Sequence, residues 1–404
     1  MKTYKVQPLD LMQDINTPYH EPFIHELIEF EDSLCPARLQ EAVDKLIAVF
    51  PLLKCRYDRA SNTFVENEGF TAENILKTDD ISERQALLTQ SLDASEKLIQ
   101  FTLSKRSLVI TVSHLICDGS GFKGLLYLLC DFYNGKEDGD FSHLMNRELF
   151  HLTENLTGTS GITVKMMLSM LGSYKNMRIY EKTEEESVCL MERKFAAGTM
   201  SKVHKAAKAQ GATLNDVFLT AYARAIGRLY ERKKVNLPCT VDLRKYAKGN
   251  AGIANLTGTY TVNVKIDLCK SFAESLSVVS EKMRRQKKTK NDIAGPMLLV
   301  SKYEKSRLDQ FLNLYGGMST SPFTDYTNLG ILDEKKLVFD GASVKNAVVY
   351  GGMNKAPYFS IAISSFKGET TVSSMFLCGD GEKKKVERLL DAVIEEIGAS
   401  TKNI

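Results

Sequence analysis

The sequence predicts a mixed α/β (α+β) protein of about two domains, and three observations lead to this prediction. Strand-like runs of β-branched and aromatic residues alternate with helix-like segments along the chain. The 404 residues exceed the roughly 250 to 300 at which a single hydrophobic core stops growing. The pattern loosens before a charge run at 181–186 and then restarts, which predicts a boundary near residue 180 and domains 1–180 and 181–404.

Composition excludes several classes of protein. Hydrophobic residues make up 43% and charged residues 25%, which is typical of a globular protein. The net charge of +3 is too small to indicate a nucleic-acid partner. The eight cysteines are widely spaced without a CxxC pair, so we expect reduced thiols and no zinc site. The first thirty residues carry His20, Glu21, His25, Glu26 and Glu29 where a signal peptide needs an apolar segment, and no apolar run is long enough for a membrane span. We therefore expect a cytoplasmic protein without integral membrane association.

The first predicted elements are a helix, a hairpin and a second helix. Residues 37–50 repeat apolar side chains at helical spacing, and Pro36 suits a first helical turn. Residues 98–103 and 108–112 are short β-prone runs joined by Lys105 and Arg106, which predicts a hairpin. Residues 122–133 are apolar with little periodicity and predict a largely buried helix.

Further helices and strands are predicted on both sides of the boundary. Residues 164–171, rich in methionine and leucine, predict a helix packed on either domain, with a membrane-touching or acyl-chain-lining helix as the alternative. Further helices are predicted at 200–210, 214–230 and 383–397. The strand candidates are 235–241, 259–266, 336–339, 347–350, 359–364 and 371–377.

The stretch 108–124, LVITVSHLICDGSGFKG, carries the chemistry. The β-branched run 109–112 predicts a strand that ends near Ser113, and residues 119–121 predict a turn before the next helix. His114 therefore lies at the end of a strand, where it can be held rigidly and still take a proton from a bound hydroxyl or thiol. Asp118 is placed to orient this loop through an ion pair. On these residues alone, a purely structural histidine remains an open alternative.

Two other interpretations of the same residues agree less well with the surrounding sequence. Gly119, Gly121 and Gly124 spell the GxGxxG of a dinucleotide-binding turn, but the following residues 134–140 form a polar stretch without the second strand that this motif needs. A metal site at His114, Cys117 and Asp118 would need a helix, and the β-branched run before His114 argues against one.

Four motifs in a common order resemble one superfamily. HLICDG at 114–119 matches the HxxxDG signature of the acyltransferases that include chloramphenicol acetyltransferase, plant BAHD enzymes, alcohol acetyltransferases and nonribosomal peptide condensation domains. FPLLKCRY at 50–57 resembles the segment after the first long helix, and VDLR at 241–244 resembles the VDxR segment. TNLG at 327–330 resembles the SNLG floor loop of the alcohol acetyltransferase branch. The resemblance spans about residues 1–390.

The resemblance implies two chloramphenicol-acetyltransferase-like domains with a channel between them. His114 would be the general base, and Asp118, followed by Gly119, would pair with Arg244 and shape the loop. Thr327 or Asn328 would donate to the oxyanion. The implied reaction moves an acyl group from a thioester, expected to be acyl-CoA as a co-substrate and not a tightly bound cofactor, to a small alcohol or amine. The alternatives are a condensation-type enzyme using an acyl carrier protein and a catalytically idle binding member.

Departures from the superfamily narrow this expectation. Ser113 occupies the first position of the HHxxxDG of condensation domains, which favours simple acyl transfer over peptide-bond formation. The absence of DFGWG and of all tryptophan argues against a plant-type enzyme. The densest basic cluster is either a solvated helix face or a site for the phosphates of coenzyme A. It consists of Lys282, Arg284, Arg285, Lys287, Lys288 and Lys290.

Overall fold

The computed structural model describes residues 1–90, 92–148, 177–247, 249, 251–305, 307–316 and 324–401. The helices in these ranges are α1 Pro8–Ile15, α2 Pro36–Val49, α3 Ala72–Ile75, α4 Arg84–Leu88, α5 Gly119–Tyr133, α6 Thr199–Ala209, α7 Leu214–Leu229, α8 Phe272–Thr289, α9 Asn291–Lys305, α10 Leu308–Gly316 and α11 Asp380–Ala399. The strands are β1 Thr3–Lys5, β2 Phe23–Phe30, β3 Cys55–Asp58, β4 Thr63–Glu66, β5 Leu76–Thr78, β6 Ile99–Ser104, β7 Ser107–Ser113, β8 Ser187–Phe195, β9 Lys234–Asp242, β10 Thr257–Lys265, β11 Thr324–Ile331, β12 Val344–Gly351, β13 Phe359–Phe366 and β14 Glu369–Cys378.

The described strands form two larger sheets and two smaller ones. A five-stranded sheet has the order β12-β2-β7-β6-β5, and a four-stranded sheet has the order β11-β13-β14-β8. Strands β1, β4 and β3 form a small sheet beside the first, and β9 and β10 form a hairpin whose β9 packs beside β11. The helices cover these sheets, so the predicted mixed α/β class is confirmed.

Two hydrophobic cores lie under the two larger sheets. The first core is built mainly from residues before 145, and the second from residues 179–397. Strand β7 is buried on both faces: Ile110 packs in the first core, and Val109 packs in a smaller cluster with Leu27 and Val348. A β-branched run suits such a strand because neither face contacts water.

The two larger sheets meet along β12. This strand follows the boundary predicted near residue 180, yet it pairs antiparallel with β2 in the five-stranded sheet. The Val349 amide donates to Ser364 Oγ of β13 at 3.2 Å, and Ser373 Oγ of β14 donates to the Val349 carbonyl at 3.3 Å. The domain limits stay a prediction, and a segment of the second half of the chain completes the first sheet.

Most predicted elements are confirmed within one to three residues, including α2, the β6–β7 hairpin, α6, α7 and α11. The strand predicted at 336–339 is wrong, because the chain turns there and only Phe339 forms an isolated bridge, to Ala342. The alternation that suggested a strand comes from Leu337 and Phe339, which are both buried against the first core. The helix predicted at 164–171 lies outside the described residues.

Residues 119–121 were predicted as a turn, but they form the first turn of α5. The cause is Asp118, which caps the helix by accepting a hydrogen bond from the Gly121 amide at 2.8 Å. Gly119 and Gly121 lie in this first turn, where other segments of the chain approach too closely for a larger side chain. A Cβ on Gly121 would lie 3.2 Å from Nη2 of Arg244. In the described ranges, no helix combines the length and apolar character that a membrane span requires.

Candidate active site

His114 begins the loop between β7 and α5. Its backbone amide donates to the Pro22 carbonyl at 2.7 Å, which fixes the point where the chain leaves the sheet. The side chain is partly exposed and forms part of the wall of a cavity of about 300 Å³. The histidine is therefore held by the sheet and open to a ligand.

Asn255 sets the tautomer of His114. The Asn255 amide nitrogen donates to the His114 carbonyl at 2.7 Å and to Asp10 Oδ1 at 2.8 Å. Its amide oxygen, which is an acceptor only, lies 3.0 Å from His114 Nδ1. The hydrogen-bond network thus assigns the proton to Nδ1 and leaves Nε2 as the basic nitrogen.

A buried ion pair supports Asn255 from behind. Asp10 accepts a hydrogen bond from Nη2 of Arg147 at 2.7 Å, and both side chains are almost fully shielded from water. Nη1 of Arg147 also donates to the carbonyl of Ile116 at 2.6 Å, within the loop that carries His114. The pair therefore holds the loop and the orienting amide together.

Burial lowers the pKa of His114 from its ordinary value. Transfer of the imidazolium from water into this site is unfavourable, and the Asp118 carboxylate offsets only part of that effect. A neutral imidazole at neutral pH is the form that accepts a proton.

Both carboxylate oxygens of Asp118 are occupied. Oδ1 accepts from the Gly121 amide, and Oδ2 accepts from the Leu256 amide at 2.8 Å. Nη1 of Arg244 lies 3.0 Å from Oδ1 and 2.9 Å from Oδ2. The structure thus brings together Asp118 and Arg244, and it gives Asp118 bonds that shape the loop.

Arg244 connects the loop to the second half of the chain. Its Nη2 donates to the Ala254 carbonyl at 2.8 Å, and Nη1 lies 3.2 Å from Asp242 Oδ1. The Asp118 amide donates to the same Ala254 carbonyl at 3.2 Å. The VDLR segment and the segment around Asn255 are therefore assembled against the HxxxDG loop.

Strand β11 forms one wall of the cavity, and its side chains alternate. Asp325, Thr327 and Leu329 line the cavity. Asn328 faces the other way: its amide nitrogen donates to Asn215 at 2.7 Å and its oxygen accepts from the Gly330 amide at 2.9 Å. Of the two residues predicted as oxyanion donors, the structure places Thr327 at the cavity.

Gly119 allows β11 to approach the loop. A Cβ at Gly119 would lie 2.8 Å from Cδ2 of Leu329, closer than normal van der Waals contact. Next to it, Lys123 Nζ donates to the Leu329 carbonyl at 2.7 Å. The last position of the HxxxDG motif is thus a packing requirement between α5 and β11.

Three titratable side chains that sequence reasoning missed also line the cavity. They are His20, Asp325 and Tyr358. The rings of His20 and Tyr358 pack with centroids 5.4 Å apart, and Tyr358 is hydrogen bonded to Asp325. No motif covers them, and they come from distant parts of the chain, so no sequence signal pointed to them. The same holds for Asn255, which lies 141 residues from His114.

The basic cluster lies on α8, away from the cavity. Lys282 bonds to the Asn263 carbonyl, while Arg284 and Arg285 pair with Glu281. Lys287 and Lys288 lie exposed in the last turn of the helix, where cations are favourable. Among the described residues that line the cavity, none belongs to this cluster.

Solved structures similar to the whole chain share one architecture. TRI3 trichothecene 15-O-acetyltransferase from Fusarium sporotrichioides superposes with a TM-score of 0.74 at 12% identity, covering 98% of this chain and 95% of that one. The first condensation domain of the CDA synthetase has a TM-score of 0.69 at 13% identity, covering 99% and 97%. The chain has the chloramphenicol acetyltransferase-like fold. The epimerization domain from the third module of tyrocidine synthetase B has the same TM-score of 0.69 at 12% identity, covering 99% and 97%.

Sequence similarity is much more limited. An alignment over 111 residues, which covers 24% of this chain, is 31% identical to the nonribosomal peptide synthetase echPS of Aspergillus ruber and spans 5% of that protein. No model of a known protein family matches the sequence. At these identities the likeness shows the fold, and the chemistry has to be argued from the side chains.

Proposed function

We propose that this protein is an acyltransferase that moves an acyl group from a thioester to a hydroxyl or amino group of a small acceptor. One observation carries the proposal: Nδ1 of a neutral His114 is hydrogen bonded to Asn255 at 3.0 Å, so that Nε2 is available as a base at the wall of the cavity.

The reaction follows from this arrangement. His114 Nε2 takes the proton as the acceptor oxygen or nitrogen attacks the thioester carbonyl, and the carbonyl π electrons move to the oxygen. When the tetrahedral intermediate collapses, the carbon–sulfur bond breaks and the leaving thiolate takes the proton from Nε2. The products are the ester or amide and the free thiol. Asp118 takes no part in the proton transfer, because its oxygens are already held by Arg244 and two backbone amides.

Thr327 is the proposed donor to the oxyanion. Its hydroxyl lies on the cavity side of β11, and it forms no hydrogen bond within the described residues. A free hydroxyl at the wall is thus available for the negative charge that forms during attack, whereas the Asn328 amide already holds Asn215.

The donor proposed is acyl-CoA, as a co-substrate and not a tightly bound cofactor. Ser113 in place of a second motif histidine supports simple acyl transfer. The alternative donor is an acyl carrier protein. The partial similarity to a nonribosomal peptide synthetase is the reason to include this donor in the experiment.

The experiment is a donor and acceptor panel that follows release of free thiol. Acetyl-CoA, longer acyl-CoAs, acyl-pantetheine and an acyl carrier protein would each be offered with small alcohols and amines. We expect acceptor-dependent release from acyl-CoA that is lost in His114→Ala and kept in His204→Ala, a matched change at an exposed histidine. If thiol were released only from the acyl carrier protein, the carrier protein and not acyl-CoA would be the donor. The absence of acceptor-dependent thiol release from every donor would refute the proposed function.

A further inference from the structure

The far end of the cavity contains a carboxyl group that no cation balances. Asp325 Oδ1 accepts a hydrogen bond from the Tyr326 amide at 2.6 Å, and Tyr358 supplies its side-chain partner. Within the described residues, Asp325 forms no ion pair. A carboxylate removed from water is normally paired, because leaving it alone costs several kcal/mol. Burial accordingly raises the pKa of Asp325 to about 7.

Among the described residues, the groups whose pKa values Asp325 influences carry no positive charge. The tyrosines Tyr222, Tyr326 and Tyr358 have pKa values raised by burial, and burial raises the pKa of Cys239 to about 12, so all four are neutral at pH 7. Burial lowers the pKa of His20, whose ring packs on Tyr358, to about 4, so it is neutral as well.

Asp325 nevertheless remains reachable from the cavity. It is partly exposed and lines the same wall as Thr327 and Leu329. Leu329 marks the catalytic end of this wall, because it lies against Gly119. Since a strand rises about 3.3 Å per residue, Asp325 lies roughly 13 Å further along β11 than Leu329. A ligand could therefore place one group at His114 and another at Asp325.

The wall on the β9–β10 hairpin is polar. Thr240 and Thr259 are direct cross-strand partners and line the cavity together with Thr257. Their hydroxyls have no hydrogen-bond partner among the described residues. A cavity of about 300 Å³ with free hydroxyls and, beside the paired Asp118, the carboxyl group of Asp325 fits a small, polar, positively charged ligand.

We propose that the acceptor carries an ammonium group in addition to the nucleophile that is acylated, and that Asp325 binds this ammonium. The class of acceptor is a diamine, a polyamine or an amino alcohol whose two functional groups are several bonds apart. This inference rests on the proposed function, because it treats the occupant of the cavity as the acceptor. The ammonium supplies the positive partner that the Asp325 carboxylate lacks. The threonine hydroxyls of the β9–β10 wall provide polar surroundings for the ligand.

The test is binding of 1,4-diaminobutane and of 1,4-butanediol, measured by calorimetry at pH 7.5 on the full chain. Asp325→Asn keeps an oxygen for the Tyr326 amide and removes the charge, while Asp138→Asn is a matched change at an exposed aspartate. We expect the wild type to prefer the diamine, and Asp325→Asn to lose about 10- to 100-fold in diamine affinity, in line with a desolvated charge contact of about 1.5 to 3 kcal/mol. Diol affinity should not change.

The pH dependence provides a second measurement that needs no variant. Diamine binding should strengthen between pH 6 and 8 as Asp325 ionises, while diol binding stays constant. His20, Tyr358, Tyr222 and Cys239 keep their neutral state over this range, since their pKa values are shifted away from it. Burial lowers the pKa of His114, which moves its titration to lower pH. This measurement decides the matter if Asp325→Asn does not fold.

The outcomes separate the inference from the proposed function. Equal affinity of the wild type for diamine and diol, or a diamine affinity that Asp325→Asn leaves unchanged, would overturn the ammonium site and leave acyl transfer standing. Asp325-dependent diamine binding in a protein that transfers no acyl group would establish the site and refute the function.

Discussion

An aspartate lies at each end of the cavity, and the two have different partners. At the catalytic end, Asp118 receives Arg244 and the amides of Gly121 and Leu256, so each oxygen has its donors. At the far end, Asp325 accepts from one backbone amide and a tyrosine hydroxyl, and it has no cationic partner in the part of the chain that the structure describes. Asp118 thus shapes the loop, whereas Asp325 is the group to which we propose that a ligand ammonium binds.

The difference shows at which end of the cavity the protein itself supplies all the hydrogen-bond and charge partners of the aspartate. The loop around His114 is held by hydrogen bonds that come from the chain itself. At the far end, we propose that a ligand supplies the positive charge beside Asp325. Substitutions at the first end should therefore affect stability and turnover, and substitutions at the second should affect the choice of acceptor.

The largest effect is expected for the Asp118–Arg244 pair. Arg244→Ala leaves the carboxylate of Asp118 buried without its cation, which should lower the free energy of unfolding by about 3 to 5 kcal/mol. Asp118→Asn should also destabilise, and the double variant should cost less than the sum of the single changes. Urea unfolding of the four proteins measures this coupling.

The control for this cycle is Arg284→Ala, which removes a partner of Glu281 on the exposed face of α8. Side chains exposed by 60% and 44% should contribute only about 0 to 1 kcal/mol. Additive effects of Asp118→Asn and Arg244→Ala would show that the pair does not act as one unit.

Thr327 lies on the wall between the two ends, and its hydroxyl should act only during chemistry. Thr327→Val keeps the shape and removes the donor, so kcat should fall by about 10²- to 10³-fold with little change in stability. Thr327→Ser restores a hydroxyl and should recover most of the rate. If serine and valine variants were equally impaired, the hydroxyl would have no role in stabilising the oxyanion.

The close approach of α5 and β11 gives a smaller effect. Gly119→Ala places a methyl group 2.8 Å from Cδ2 of Leu329, and that terminal methyl has to move. We expect a loss of about 1 kcal/mol in stability and a measurable fall in kcat. Gly124→Ala in the same helix meets no atom within 4 Å and should stabilise by about 0.5 to 1 kcal/mol. Equal stability changes at both glycines would contradict the contact.

The smallest effect is expected on the exposed face of α8, outside both ends of the cavity. If Lys287 and Lys288 bind donor phosphates, replacing both with Gln should raise KM for acyl-CoA by roughly threefold to tenfold, since exposed charge pairs are weak. KM for an acyl-pantetheine without the nucleotide should not change, and added salt should reduce the difference. Equal changes for both donors would make the cluster a solvated helix face.

Sequence reasoning predicted the parts of the fold and site that depend on local patterns. The amphipathic spacing of 37–50 gave α2 almost residue for residue, and HLICDG located the loop that carries His114. The strand at 336–339 was wrong because alternating burial also arises where a turning chain places two side chains on a core. Periodicity cannot separate these two cases.

The partners of the site depend on tertiary contacts that no local pattern records. Asn255 and Asp10 reach His114 only because α1 and the segment before β10 meet beside the loop. Asp325 lies two residues before the floor motif, yet its isolation from cations follows from which neighbours surround it. A sequence shows the residue types, whereas the unpaired state of a carboxyl group appears only in three dimensions.

The most direct test of the central claim is the single-turnover rate of thiol release with a neutral alcohol as acceptor, measured against pH for the wild type and for His114→Ala. A neutral acceptor removes any contribution from Asp325. We predict a wild-type rate that rises with pH through a pKa below the ordinary value of histidine and then stays level, because the base works in its neutral form. His114→Ala should be slower by about 10²- to 10⁴-fold while binding the donor as tightly. A variant that keeps most of the wild-type rate would contradict the assignment of His114 as the general base.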